Sequence, residues 1–312
     1  MADIVTLTMN PSIDVSMSVE RLSPFRKLHC TGEHRDPGGG GINVARVAKR
    51  LGAETIAMYP VGGALGQMLR RFVDGEGIPG LTTLISAETR EDFTVFERAT
   101  GLQYRFVLPG PRLTEAEWLT CLEAFGSLDR GARFVVASGS LPPGVPDDFY
   151  GRVAAMAKQI NVKTVVDSSG PALRAALQNG VYLIKPNLNE LKSLVGSVLE
   201  SQADRIMTCR SLIDSGQVQI VALTLGEEGA LLVTRDHVLR AHALAVKPVS
   251  VVGAGDSFLG AMVWGLASGQ PIETAFRYGM AAASATLLIP GTQLCRREDV
   301  ERLVDCVKLQ AI

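Results

Sequence analysis

The chain has 312 residues, with 31 Lys plus Arg against 32 Asp plus Glu, and is 46% hydrophobic and 20% charged. That balance excludes a disordered chain and leaves no global field to gather nucleic acid or anionic lipid, so an anionic ligand has to be held by local groups. The length accommodates one large α/β core with an elaboration, or two smaller domains.

The opening MADIVTLTMN alternates apolar and polar residues and carries an acid at position 3, unlike a signal peptide. No uninterrupted apolar run reaches the roughly 18 residues of a membrane span, and a cytoplasmic location is expected. Residues 13–36 and 89–110 alternate apolar and polar side chains without an intervening helix, and the turn ATG between FTVFER and LQYRFVL marks a hairpin. These two segments predict a small antiparallel sheet, a lid or oligomer interface, set apart from an α/β domain of residues 1–12, 37–88 and 111–312. Lys27, Arg90 and Arg105 lie in the lid segments. Singly, each is a cation that keeps an edge strand soluble; converging on one face, they would hold a phosphate.

Between the lid segments runs DPGGGGINVARVAKRLG, residues 36–52. Consecutive glycines let backbone approach a ligand, and the following helix offers unpaired N–H groups beside Asn43, but a flexible loop before a capped helix accounts for the stretch equally well. No G-K-[ST] occurs in the chain, which excludes a P-loop. Thr114 in TEAE opens a helix with a capping box. From residue 130, the runs RFVVAS, KTVVDS, YLIKPN and QIVALTLG alternate with helical stretches such as 146–160, as crossovers on a mostly parallel sheet require. The five cysteines are scattered without a C-x-x-C, and the four histidines show no metal-ligand spacing, so neither a disulfide framework nor a zinc site is expected.

In IKPNLNEL, Lys185, Asn187 and Glu190 follow a strand end, where open parallel sheets bind ligands. An amide and a carboxylate three residues apart suit hydrated Mg²⁺, or equally a capping box; Asp167 in VVDSSG and the run TLGEEGA, at other strand ends, favour the ligand. In SVVGAGDSFLGAMVWGL, residues 250–266, Gly253, Ala254 and Gly255 turn the chain so that backbone amides meet at a helix start beside Asp256. An anion cradle next to a carboxylate suits phosphoryl transfer, where positioning matters more than basicity; helix capping is the commoner role for such an Asp. Further helices are predicted over 256–267, 272–288 and 298–308.

PGGGGINVAR, KPNLNEL and VGAGDS, in that order, resemble the ribokinase-like sugar kinases. Within them TLTMNPSID, QYRFVLPG, SGSLPPGV, VDSSG and GTQLC are similar to the phosphofructokinase B branch, nearest the second-isozyme type of bacterial 6-phosphofructokinase. The resemblance implies a Rossmann-like α/β fold and Mg-ATP-dependent phosphorylation of the 1-hydroxyl of fructose 6-phosphate. Asp256 would be the base and the amides of residues 253–256 the anion hole. Asp14, Gly39, Gly40 and Asn43 would hold the sugar, and Lys27, Arg90, Arg105 and Ser140 its phosphate. Lys185, Asn187, Thr224, Gly226, Gly229 and Ser284 would line the nucleotide site, and Asp167 with Glu190 would arrange Mg²⁺ through water. It further implies a homodimer through the lid, and K⁺ near Ser250 and Val252, although Val251, Ile289 and Gln293 depart from the family's pattern there. Kinases for tagatose 6-phosphate or fructose 1-phosphate are the neighbouring readings. A sugar-phosphate-binding regulator without turnover is the alternative of another class, disfavoured because a binder needs no base. The lid cations argue against a kinase for an unphosphorylated sugar or nucleoside.

Overall fold

The structure is a computed structural model and describes residues 2–128 and 131–312. The chain opens with β1 (Ile4–Leu7), β2 (Ser12–Val19) and β3 (Thr31–Gly38), followed by α1 (Gly40–Arg50), β4 (Thr55–Val61), α2 (Gly63–Gly75) and β5 (Gly80–Leu84). The expected hairpin is β6 (Arg90–Glu97) and β7 (Leu102–Phe106), paired antiparallel. Then comes α3 (Glu115–Gly126), whose Thr114 and Glu117 complete the predicted capping box. The crossover region comprises β8 (Phe134–Ser138), α4 (Phe149–Gln159), β9 (Lys163–Asp167), α5 (Gly170–Leu177), β10 (Val181–Ile184), α6 (Leu188–Val195), α7 (Gln202–Asp214) and β11 (Val218–Thr224). The remainder is β12 (Ala230–Val233), β13 (Val238–Ala241), α8 (Ala254–Ala267), α9 (Ile272–Leu287), α10 (Arg297–Val304) and β14 (Leu309–Ala311).

Ten strands form the main sheet in the order β14-β13-β12-β11-β10-β9-β8-β1-β4-β5, parallel from β11 to β5 and antiparallel from β11 to β14. Helices cover both faces, which is why strands such as Phe134–Ser138 read as unbroken apolar runs. One face packs on α3 to α7 through residues such as Trp118, Phe149, Leu191 and Cys209. The other packs on α1, α8, α9 and α10 around Val44, Phe258, Phe276 and Val300. The chain leaves β1 for β4 on one side and later places β8 on the other, and this reversal of strand order opens a crevice at the carboxyl ends of the strands.

The small sheet has the order β3-β2-β6-β7. Its two outer pairs are antiparallel, and the central pair, β2 with β6, is parallel. Alternation assigns faces but not direction, and the long excursion through β5 brings β6 in from the same end as β2. Ile13 and Val15 bury one face of this sheet against Ala45 and Leu69. Three bounds differ from the pattern of residues: α4 starts at Phe149 and not Pro146, α8 begins at Ala254, ahead of Asp256, and α10 ends at Val304. The stretch expected to stay helical to Lys308 instead turns into edge strand β14, paired with β13. All five cysteines are free, and among the described residues no helix is long and apolar enough to cross a membrane.

Candidate active site

Two clefts adjoin at the carboxyl ends of the parallel strands. The first, about 390 Å³, is lined by Asp14 on β2, Arg90, Asp92 and Arg105 on β6 and β7, Gly39, Gly40 and Asn43 around the start of α1, Ser140 past β8, Asp167 at the end of β9 and Lys185 past β10. The second, about 600 Å³, is lined by Asn187, Thr224, Gly226, Gly229 and Ser284 with apolar Val246, Phe258, Met280 and Leu287. Gly255 and Val251 line both clefts, and Asp256 faces the first. The start of α8 therefore stands between a charged pocket and an apolar one.

Two helices begin at this junction without a side-chain cap. At α8, Gly253 takes the left-handed φ of 77°, which a glycine adopts without cost, and no side chain bonds the first-turn amides. Capping is thus not what Asp256 does. Its Oδ2 instead accepts from Asn43 Nδ2 at 2.8 Å. Helix α1 likewise starts at Gly39 with no side-chain cap. Both ends point unsatisfied N–H groups at the same cleft, where an anion would be stabilised.

A helix start favours an ionised carboxylate, but at Asp256 burial outweighs that. Desolvation, with Asp167 nearby, pushes the carboxyl up to about 6, against the pull of the Asn43 hydrogen bond and Lys185. Asp14 is also raised to about 6, by burial first, with Ser12 opposing through a 2.7 Å hydrogen bond. Burial disfavours the charge on Lys185, yet Asp167, 3.1 Å away, and Asp256 outweigh it and hold that amine above the usual lysine range.

A Cβ on Gly38 would lie 2.1 to 2.6 Å from the carboxylate of Asp14. That contact meets the free end of a side chain, which yields more readily than backbone. Gly38→Ala is therefore expected to fold while swinging Asp14 off Ser12, raising the KM for the ligand of this cleft at least ~10-fold, with a melting temperature close to that of the wild type. Steady-state kinetics and thermal denaturation check both halves.

The residues expected at the nucleotide site fall in the second cleft, except Lys185, which lines the first. Lys27 is a correction: it does not project from a strand beside Arg90 and Arg105 but sits in the exposed loop between β2 and β3, outside both clefts. Asn187 and Glu190 form the complete capping box of α6, with bonds of 2.8 and 2.9 Å. Glu190 nevertheless lines the first cleft, where burial and Asp167 raise its pKa despite the opposing Asn187 bonds. Ser250 is buried, its Oγ donating to the Gly291 carbonyl at 3.0 Å and accepting from Gln103 Nε2 at 3.2 Å. Sequence reading missed Asp92, which pairs with Arg90 at 3.1 Å, and Arg46, one helical turn after Asn43, a spacing that could have shown it.

Among the described residues no three His, Cys, Asp or Glu side chains cluster as a metal cage. Asp167 and Glu190 instead offer two hard oxygen donors at the edge of an anion site, the arrangement Mg²⁺ accepts when it keeps several waters and shares phosphate oxygens.

A doubly covered sheet with a charged cleft, an apolar cleft and an uncapped helix start between them describes an α/β protein that brings two ligands together over one anion-binding helix end. The chain belongs to the pfkB family of carbohydrate kinases, whose model matches residues 3–299. It is 44% identical over 302 residues to the ATP-dependent 6-phosphofructokinase isozyme 2 of Mycobacterium tuberculosis, covering 97% of this chain and 89% of that one. It is 32% identical over 306 residues to the 1-phosphofructokinase of Bacillus subtilis, covering 98% and 99%. Phosphofructokinase-2 of Escherichia coli, solved in complex with fructose-6-phosphate, superposes with a TM-score of 0.92 at 38% identity, covering 98% and 99%. The same enzyme has also been solved in complex with potassium and in a tetrameric inhibited form.

Proposed function

We propose that this chain is an ATP-dependent 6-phosphofructokinase, transferring the γ-phosphoryl of ATP to the 1-hydroxyl of fructose 6-phosphate. The observation that carries this reading is the placing of residues 253–256 at the junction of the two clefts. Sugar in the polar cleft and nucleotide in the partly apolar one would bring acceptor and donor together over the free amides of α8. Asp256, held by Asn43, would orient the hydroxyl and take its proton late in the transfer, while the amides of 253–256 meet the charge that develops on the phosphoryl oxygens. Asp14 would hold ring hydroxyls, Arg90 and Arg105 the 6-phosphate. Lys185 would offset negative charge between the clefts. Mg²⁺, held by Asp167 and Glu190 through water, would neutralise charge on the nucleotide phosphates.

The greater identity to the 6-phosphofructokinase than to the 1-phosphofructokinase supports fructose 6-phosphate over fructose 1-phosphate. K⁺, with which the E. coli enzyme has been solved, would bind in this chain at the turn that brings Ser250 and Val252 beside the Gly291 carbonyl. Exposed Phe25, Leu28, Leu102, Tyr104 and Phe106 on the small sheet and its loop support a homodimer through the lid. A panel of fructose 6-phosphate, tagatose 6-phosphate, fructose 1-phosphate and fructose with Mg-ATP tests the assignment. The expected kcat/KM is at least ~10-fold higher for fructose 6-phosphate than for any other; absence of its turnover would remove the proposal.

A further inference from the structure

Arg46 is one of the largest fully buried side chains in the molecule, its side chain only 1% exposed. Its guanidinium gathers five acceptors. Nε donates to Glu76 at 2.8 Å, Nη2 to Asp36 at 3.3 Å, and Nη1 to the carbonyls of Pro37 and Thr292 at 3.1 and 3.2 Å and to Asn43 Oδ1 at 3.3 Å. Pro37 is the last residue but one of the lid strand β3, and Thr292 lies in the turn between α9 and α10. One buried cation thus ties the lid, that turn and the start of α1 to a single point. The buried charge is matched by Asp36 and Glu76, so its retention does not need a ligand to explain it.

We propose that Arg46 is a positioning residue for Asp256, acting through the side-chain amide of Asn43; this rests on the reading of Asp256 as the base. A guanidinium only donates, so the Asn43 atom facing it must be the carbonyl oxygen, and the NH₂ is then turned to Asp256. Without a donor at that oxygen the amide is free to flip, presenting oxygen to oxygen and releasing the carboxylate. Asp256 would then be oriented only by the charges around it, namely Asp167, Lys185 and Asp14. No other hydrogen bond in the described residues anchors Asn43 Oδ1.

The test is a double-mutant cycle of Arg46→Lys and Asn43→Ala, reading kcat, KM and the acid limb of the kcat profile, with circular dichroism and melting to confirm the fold. Lysine keeps the buried charge but loses the planar fork. Arg46→Lys alone is expected to lower kcat roughly 10- to 10²-fold and to move the acid limb to higher pH, because Asp256 loses an ordered donor. In the Asn43→Ala background the same change is expected to cost less than about 2-fold, since the route is already cut. Equal losses in both backgrounds, or lowered stability with an unmoved acid limb, would overturn the proposal in favour of a purely structural Arg46. If Arg46→Lys does not fold, Arg46→Gln with Glu76→Gln removes the cation together with one counter-charge and is read by the same criteria. Full turnover in Asp256→Asn would sink the reading of the base itself; an inactive Asp256→Asn with an additive cycle sinks only the role of Arg46.

Discussion

Replacing Asp256 with Asn is expected to lower turnover at least ~10²-fold while raising the stability of the fold at neutral pH. The first effect follows from losing the proton acceptor beside the amide cradle, a contribution typically of ~10² to 10⁴. The second follows from linkage. The carboxyl has an ordinary value of 3.8 and is raised to about 6 in the folded chain, chiefly by burial. Between those values the folded state binds more protons than the unfolded one, so stability falls as pH rises through this window and stays lower above it. A neutral isostere removes that deficit, which is on the order of 2 to 3 kcal/mol for a shift of this size. Asn can still meet Asn43, and Lys185 keeps Asp167 as its partner. Thermal melts at pH 7 and pH 5 check the sign: the variant's advantage is expected to shrink at the lower pH. In the wild type, kcat/KM is expected to fall as pH drops through about 6, where both Asp256 and Asp14 take up protons.

Removing the two cleft arginines is expected to separate binding from folding. Arg105 is exposed on β7 and lines the charged cleft. Arg105→Ala is expected to raise the KM for fructose 6-phosphate roughly 10- to 10²-fold, the range of a lost charge-assisted hydrogen bond, with little change in melting temperature. Arg90 does more. Its side chain is 10% exposed, pairs with Asp92 and donates to the carbonyls of Leu108 and Asn10. Arg90→Ala would leave Asp92 beside Asp14 without its paired cation and strand two carbonyls. It is therefore expected to raise KM by at least as much and also to destabilise by about 1 to 3 kcal/mol. Fructose without its phosphate serves as the control. Its KM should be unmoved by Arg105→Ala; unchanged KM for the phosphorylated sugar in both variants would point to a kinase for a neutral substrate.

The parallel sheet was legible because strands buried on both faces carry near-continuous apolar runs, as Phe134–Ser138 and Val181–Ile184 do. The cleft was partly legible because several glycine clusters and acids fall at the carboxyl ends of the same set of strands, where open parallel sheets bind ligands, although each alone has a structural account. Direction of pairing was not: β2 and β6 alternate equally well parallel or antiparallel, and a side-chain period of two carries no sign. The Leu309–Ala311 strand was hidden because three residues carry no period, and its pairing partner β13 lies far back in the chain. Lys27 and Arg105 both sit in the alternating segments of the small sheet, and only the fold shows that one leaves the strand while the other faces the cleft. The one-turn spacing puts Arg46 beside Asn43, but its burial shows only when Asp36 and Glu76, from two other elements, are seen to close over it.

The most direct measurement is the yield of fructose 1,6-bisphosphate, against ADP released, from purified wild type and Asp256→Asn given Mg-ATP and fructose 6-phosphate, with sugar binding followed in parallel. One bisphosphate per ADP is expected from the wild type, and from the variant a rate at least ~10²-fold lower with sugar binding retained. Equal rates from the two proteins, or ADP formed without bisphosphate, would contradict the proposed phosphoryl transfer through Asp256.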